Sequence, residues 1–286
     1  MIMLINLSGK RLPVQTQDPL SWSEDEHIKD FKNFISSYTE QEKNTTNEPT
    51  ERLICGDDDR EELHDVNVNS SLLSRATCHL AITFDDGTLA AGTGFFIAPR
   101  KVVTAGHCLY DKEKGYAKQI IVRPGLNRRS NGDIDPPFLG DFAADIRVPE
   151  DWEKHNNYNH DWGLITLAKE DLYDRAGKPS LQLWAATDDE IRDKLFTLWG
   201  YPNKCDFPNQ CLFFSKKPEQ IKEITPYIVY SIHDVTHGNS GGPLVLNEDI
   251  KVLAICSHTY NDCNDGSGFT RITNNVKSTI ENYNWP

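Results

Sequence analysis

Three short motifs follow one another along the 286-residue chain, and their order constrains the fold more than any other feature. Thr104-Ala105-Gly106-His107-Cys108 comes first, Asn159-His160-Asp161-Trp162-Gly163-Leu164-Ile165 second, and Gly238-Asn239-Ser240-Gly241-Gly242-Pro243 third. A serine hydroxyl is too weakly acidic to attack an amide unaided, so it needs a base to take its proton and an acid to hold that base in one tautomer. The tetrahedral intermediate also carries negative charge on the former carbonyl oxygen, which aimed backbone N–H groups stabilise by about 3–4 kcal/mol per donor. Ser240, His107 and Asp161 are the candidate side chains. The N–H groups of Gly238 and Ser240 are the candidate donors, and neighbouring glycines permit the backbone shape they need. Each motif alone is weak: His107 reads equally as a partly buried structural histidine, and Asp161 as a turn or salt-bridge residue. The glycine-flanked serine also fits a strand-turn-helix elbow. There the histidine must follow the serine, and only His258 does, too close to leave room for an intervening acid strand.

The order His107, Asp161, Ser240 resembles that of the chymotrypsin-like and trypsin-like serine proteases. Phe95 to Val103, running into Thr104-Ala105-Gly106-His107-Cys108, is similar to that superfamily's strand, turn, strand and histidine loop. Leu164-Ile165-Thr166-Leu167 resembles its apolar strand after the acid, and Ser257 falls where the family places a serine supporting that acid. The resemblance runs from about residue 53 to 275 and implies an all-β fold. Two antiparallel six-stranded β-barrels are expected, at about 70–170 and 180–270, with a closing helix at about 273–284 and the active site in the cleft between the barrels. The implied activity is a serine endopeptidase working through an acyl-enzyme on protein or peptide substrates, with no cofactor and no metal. The alternative is an inactive binding module on the same fold.

A finer resemblance is to the bacterial glutamyl-endopeptidase branch. Its mature chains open with a short apolar stretch, a glycine and an acidic-acidic-Arg motif, which Leu53-Ile54-Cys55-Gly56-Asp57-Asp58-Asp59-Arg60 resembles. This implies that residues 1–52 are a propeptide or regulatory extension, cut between Arg52 and Leu53, and that 53–286 is the protease domain. Glu40 to Thr50 reads as a flexible linker, and apolar residues at helical spacing over 25–35 predict a helix, which could instead pack permanently on the barrels. Where trypsin-type zymogens have an aspartate that pairs with the freed N-terminus, this chain has Asn239, which cannot form that ion pair.

On specificity the residues conflict. Glutamate-selective relatives hold the substrate carboxylate with a hydroxyl residue and a histidine, and the matching positions here are Val235 and Cys256. Asp234 stands where trypsin-like enzymes pair with Arg or Lys, so a basic residue at P1 is expected, with His237, Ser257 and His258 as further substrate-side residues.

A hydrophobic content of 38%, with six Trp and twelve Phe, is enough to bury a sizeable core. The formal charge of −13 argues against nucleic acid as a partner. No stretch reaches the length needed to cross a bilayer, and a monomer is expected. The first eleven residues lack a basic start, which with seven cysteines and a glycine, Gly92, where the family has a partner for Cys108, favours a cytoplasmic location, secretion being the alternative. Cys205 with Cys211, and Cys256 with Cys263, are spaced to bridge short loops. Asp57-Asp58-Asp59 and Asn261 to Asp265 lack the ligand spacing of a calcium loop and read as solvated turns.

Overall fold

Short runs of Val, Ile, Leu and Phe broken by turn clusters form antiparallel strands throughout. The structure is a computed structural model that describes residues 4–13, 21–44, 52–63, 70–129, 131–203, 211–260, 263 and 265–284. In the first half, the strands Asp141–Pro149, Gly163–Leu167, Lys101–Thr104, Leu89–Ala98, Thr77–Phe84 and Gly115–Pro124 pair in that order. The last pairs back onto the first through Val122 with Asp141 and Ile121 with Phe142, closing a six-strand barrel. Closure removes free strand edges, and Leu80, Ile82, Phe95, Val102, Ile120, Ile146 and Leu164 are fully buried within this half.

The second half is a curled sheet with strand order Ile228–Ser231, Ser267–Arg271, Lys251–Thr259, Pro243–Leu246, Leu195–Gly200 and Phe213–Ser215. It remains a half-barrel among the described residues, where a second closed barrel was expected. Its two ends are taken by other strands: Glu223–Ile224 pairs with one, and Arg60–Glu62, from the N-terminal side, pairs with the other. Phe196, Leu198, Val229, Leu244, Leu253 and Phe269 form a separate buried cluster there. The closing helix, Asn274–Asn282, is capped by Thr273, whose hydroxyl accepts the Val276 N–H at 3.2 Å, and it buries Val276 and Ile280.

The described parts of residues 1–52 are built into the body. Leu7–Arg11 extends the first sheet by pairing with Asp145 to Pro149. The helix expected over 25–35 spans Glu24–Asn44, opened by a reciprocal cap in which Ser23 and Glu26 each bond the other's backbone N–H. His27, Phe31, Ile35 and Tyr38 are spaced on one face and buried. Phe31 meets the ring of His79 edge-on at 5.1 Å, and Asp30 forms an ion pair with Arg123, whose side chain is otherwise wholly buried. A buried guanidinium needs that partner, so this helix also neutralises a charge inside the barrel.

Arg52 and Leu53 lie in a short strand paired with Thr236 and Val235, not in the open linker expected at the processing site; residues 45–51 lie outside the described residues. Cys263 is bonded to Cys55, 208 residues away, and so cannot pair with Cys256 as expected. Cys256 is fixed instead beside the Ser240 loop, its N–H donating to the Gly242 carbonyl and its carbonyl accepting from the Gly241 N–H. Cys205 lies outside the described residues; Cys211 carries a buried free thiol. Among the described residues no helix is long and apolar enough to cross a membrane.

A β-carbon added at Gly92 would stand 2.9 Å from Cys108 Sγ. In a disulfide the β-carbon sits about 3 Å from the far sulfur, so this position fits a bridge that the sequence lacks. Gly92→Cys should therefore oxidise to a 92–108 crosslink without displacing the backbone, raising stability by up to about 3 kcal/mol. Peptide mapping without reductant, with melting temperatures before and after reduction, checks it; two alkylated thiols at 92 and 108 would contradict it.

Candidate active site

Asp161 is delivered to the seam between the halves by a chain of local caps. The helix Glu150–His155 ends at Asn156 in the left-handed conformation (φ 53°), and Asn157 then caps the short turn Tyr158–His160 by accepting the Asn159 N–H at 3.1 Å. Trp152, buried on that helix, donates its indole N–H to the Tyr110 carbonyl at 3.0 Å and packs 6.3 Å from the His107 ring. Asp161 is completely buried. Its Oδ1 accepts the His107 backbone N–H at 2.9 Å, and its Oδ2 lies 2.8 Å from His107 Nδ1. The Ser257 hydroxyl donates to the same Oδ2 at 2.5 Å, and Thr270 Oγ1 donates to the Asp161 carbonyl at 3.0 Å, both from the second sheet.

The electrostatics of the pair follow from this packing. Burial disfavours the charged form of His107, but the Asp161 carboxylate and its hydrogen bond outweigh it and hold the imidazole pKa well above 6.5. Burial likewise opposes the Asp161 charge, yet His107 and the Ser257 hydroxyl hold that carboxyl below its ordinary range. The His107 side chain keeps 27% exposure, so its outer edge faces the cleft.

Ser240 sits on a loop docked against the histidine loop. Gly241 has φ +85°, and a β-carbon there would lie 2.2 Å from Thr104 Oγ1 and 2.9 Å from Ala105 N, so only glycine allows the approach. The Ser240 carbonyl accepts the Thr93 N–H at 2.8 Å and faces Cys108 Sγ at 3.7 Å, next to His107. Thr93, fully buried, also donates its hydroxyl to the Gly238 carbonyl at 2.6 Å and accepts the Tyr201 N–H at 3.0 Å. The His237 carbonyl accepts from Asn203 N, and Asn239 closes the turn with its own N–H on the Thr236 carbonyl and its side-chain oxygen on the Thr236 N–H. Among the described residues neither the Gly238 nor the Ser240 N–H has a protein acceptor. Thr93 was missed by sequence reasoning because its partner lies 145 residues away and no local pattern marks it.

Asp234 does not point an unpaired carboxylate at a substrate. It is buried, and its two oxygens accept the N–H groups of Cys55 at 2.8 Å and Asp59 at 3.1 Å, tying down the segment beyond Leu53. Arg60 next to it is held by Asp58 and by Thr236 Oγ1. His237 is half-buried beside Gly238, and His258 lies under Tyr158 with ring centres 4.7 Å apart. Among the described residues no group of three or more His, Cys, Asp or Glu could hold a metal ion; Asn261, Asp262 and Asn264 lie outside the described residues.

The family model described as Trypsin matches residues 75–280. The chain belongs to the trypsin family. It is accordingly a serine endopeptidase, a hydrolase of peptide bonds with a protein substrate. Among relatives, the extracellular metalloprotease of Bacillus subtilis (strain 168) is 29% identical over 264 residues, covering 88% of this chain and 76% of that one. The glutamyl endopeptidase of Bacillus licheniformis is 27% identical over 241 residues, covering 82% and 69%. The solved structure of a Glu endopeptidase in complex with MPD superposes with a TM-score of 0.66 at 19% identity, over 80% of this chain and 98% of that one, and shows the same fold.

The charge balance at the trypsin-family pair is measurable directly. His107 should titrate with a midpoint above pH 6.5 in an NMR experiment on its ring, and Asp161→Asn should lower that midpoint, since burial then acts without an opposing carboxylate. A wild-type midpoint at or below 6.5 would contradict the geometry.

Proposed function

We propose that Ser240 is the nucleophile, His107 the general base and then acid, Asp161 the orienting carboxylate, and the Gly238 and Ser240 N–H groups the oxyanion donors. The observation that carries this reading is the 2.8 Å contact of His107 Nδ1 with a fully buried Asp161, which fixes the proton on Nδ1 and leaves Nε2 as the acceptor. Ser240 Oγ attacks the substrate carbonyl while Nε2 takes its proton. The carbon–nitrogen bond then breaks as that proton passes to the leaving amine, leaving an ester on Ser240. A water molecule repeats the sequence, its proton going to Nε2 and then back to Ser240 as the acid product leaves. The inactive binding module draws no support from a site in which base, acid and unpaired N–H donors are all present.

The three side chains act as one unit, so Ser240→Ala, His107→Ala and Asp161→Asn should each lower kcat/KM by about a thousandfold or more, with double variants scarcely worse than the worst single one. A serine-directed phosphonate should label Ser240 and no other residue. Peptide cleavage by Ser240→Ala at the wild-type rate would defeat the assignment.

For P1 the basic reading rested on Asp234, whose oxygens are already engaged by two backbone N–H groups. An Arg or Lys side chain would have to share a buried carboxylate that already holds the 55–59 segment. We therefore favour an acidic P1, with His237 and His258 as the available hydrogen-bond donors, in line with the relative named glutamyl endopeptidase. On matched fluorogenic peptides ending in Glu, Asp, Arg, Lys and Phe, the acidic pair should lead. Asp234→Ser should lower all rates together, because it frees the 55–59 segment, and leave their ratios unchanged. An Arg preference abolished by Asp234→Ser would restore the basic reading.

Processing between Arg52 and Leu53 stays within this proposal, with one change of meaning. Leu53 is already paired with Val235 in the intact chain, so a cut would release the covalent link to the extension without having to seat the new end. The Cys55–Cys263 bridge supports an oxidising compartment over the cytoplasm expected from the first residues.

A further inference from the structure

The Lys251–Thr259 strand changes register against Ser267–Arg271 between Cys256 and His258. Such an irregularity re-aims side chains. Ser257 turns inward onto Asp161, and His258 turns toward Tyr158 at the seam between the halves, where its ring packs against Gly268: a β-carbon there would be 2.4 Å from His258 Cε1 and Nε2. Three phenols wall the ring, Tyr158 at 4.7 Å, Tyr260 at 5.4 Å and Tyr230 at 6.4 Å between centres. His258 Nδ1 is 3.1 Å from Ser257 Oγ. That hydroxyl has one proton, and the 2.5 Å contact with an ionised Asp161 uses it. Its remaining capacity is to accept, so Nδ1 of His258 must carry a hydrogen. The result is an unbroken line from the cleft wall to the base: His258 Nδ1–H to Ser257 Oγ–H to Asp161 Oδ2, which accepts from His107 Nδ1–H.

We propose that His258 is a positioning residue of the catalytic apparatus, acting through Ser257 to set how strongly Asp161 holds the proton on His107, so that the cleft wall and the base are coupled. The inference rests on the triad assignment. A donor on Ser257 Oγ makes its hydroxyl a better donor, which draws charge off Asp161 Oδ2 and weakens its pull on the imidazolium. Without His258 that pull grows and the basic form of His107 appears only at higher pH. Among the described residues, titratable groups facing the line include Cys108 beside His107 and the three phenols around His258. Tyr230 is pushed up to about 12 by burial and by its hydrogen bond to Tyr260, so it stays uncharged where His107 titrates.

The test compares wild type with His258→Phe, His258→Asn, Ser257→Ala and the Ser257→Ala/His258→Phe double variant. Each is read by the acid midpoint of kcat/KM and by the NMR titration of His107 without substrate. His258→Phe keeps a ring between the tyrosines and removes the donor; it should move both midpoints upward by about 0.3–1 pH unit, the range of a neutral hydrogen bond. Asparagine can place a donor near Nδ1, so His258→Asn should fall back toward wild type. In the Ser257→Ala background His258→Phe should add nothing, because the route is already cut. A loss of packing alone would lower the melting temperature and leave the midpoints in place. Unmoved midpoints in His258→Phe, an equal shift in His258→Asn, or additive shifts in the double variant would each overturn the proposal. An NMR midpoint that moves as described in a protein that cleaves no peptide would instead overturn the triad assignment and leave the coupling standing.

Discussion

A single buried anion organises the cleft. Asp161 has no solvent contact, and an ionised carboxylate in such a place is tolerated only when its oxygens are saturated with donors. Neither half of the molecule can do this alone: the first barrel offers the backbone and ring N–H of His107, and the second sheet offers the hydroxyl of Ser257. Thr270 adds a bond to the Asp161 carbonyl from the same sheet. The relative placement of the two halves is thus fixed at the carboxylate proposed to orient the base, and any slippage between them leaves a charge without partners.

The Ser240 loop is held by a complementary arrangement. Where Asp161 belongs to the first half and is satisfied by the second, the Ser240 loop belongs to the second half and is held by the first. Thr93 grips it through the Ser240 and Gly238 carbonyls, and the Gly241 backbone lies against Thr104 and Ala105. With carbonyls on either side of the Gly238 N–H held by Asn203 and Thr93, that N–H has little freedom to turn away, which is the preorganisation that its proposed role as an oxyanion donor requires.

How much of this was legible depends on whether the deciding interaction is local. The order of His107, Asp161 and Ser240, the strand-forming runs around them and the glycines at 241 and 242 are local statements, and they carried the family and the architecture. The first half of the helix, over 25–35, announced itself by apolar spacing, though its continuation to Asn44, into the stretch read as a linker, and its neutralisation of Arg123 did not. The engagement of Asp234 was not legible, because sequence position says where a carboxylate sits and not what its oxygens already bind. The disulfide was misassigned for the same reason: Cys256 and Cys263 are neighbours in sequence, but the strand pins one at the serine loop while Cys55 is brought to the other from the far end of the domain. The open second sheet follows suit, since Arg60–Glu62 takes an edge that no local signal reserves.

The stitching of the N-terminal residues has a consequence for how the molecule is made. Leu7–Arg11 finds its strand partner only at 145–149, and Cys55 finds its own only at 263. During synthesis from the N-terminus, both segments emerge long before the surfaces that receive them. The first waits as unpaired chain until the middle of the sequence has emerged and the second until the last strands are laid down, and pairing at such separations is slow because a long loop must close before any contact forms. The cleft reaches its final shape in the same late event, since the segment bonded to Cys263 is also the one that engages Asp234 and pairs with Val235. Completion of the fold and arrival of hydrolytic competence therefore coincide, and a half-made chain is poorly equipped to cut its neighbours.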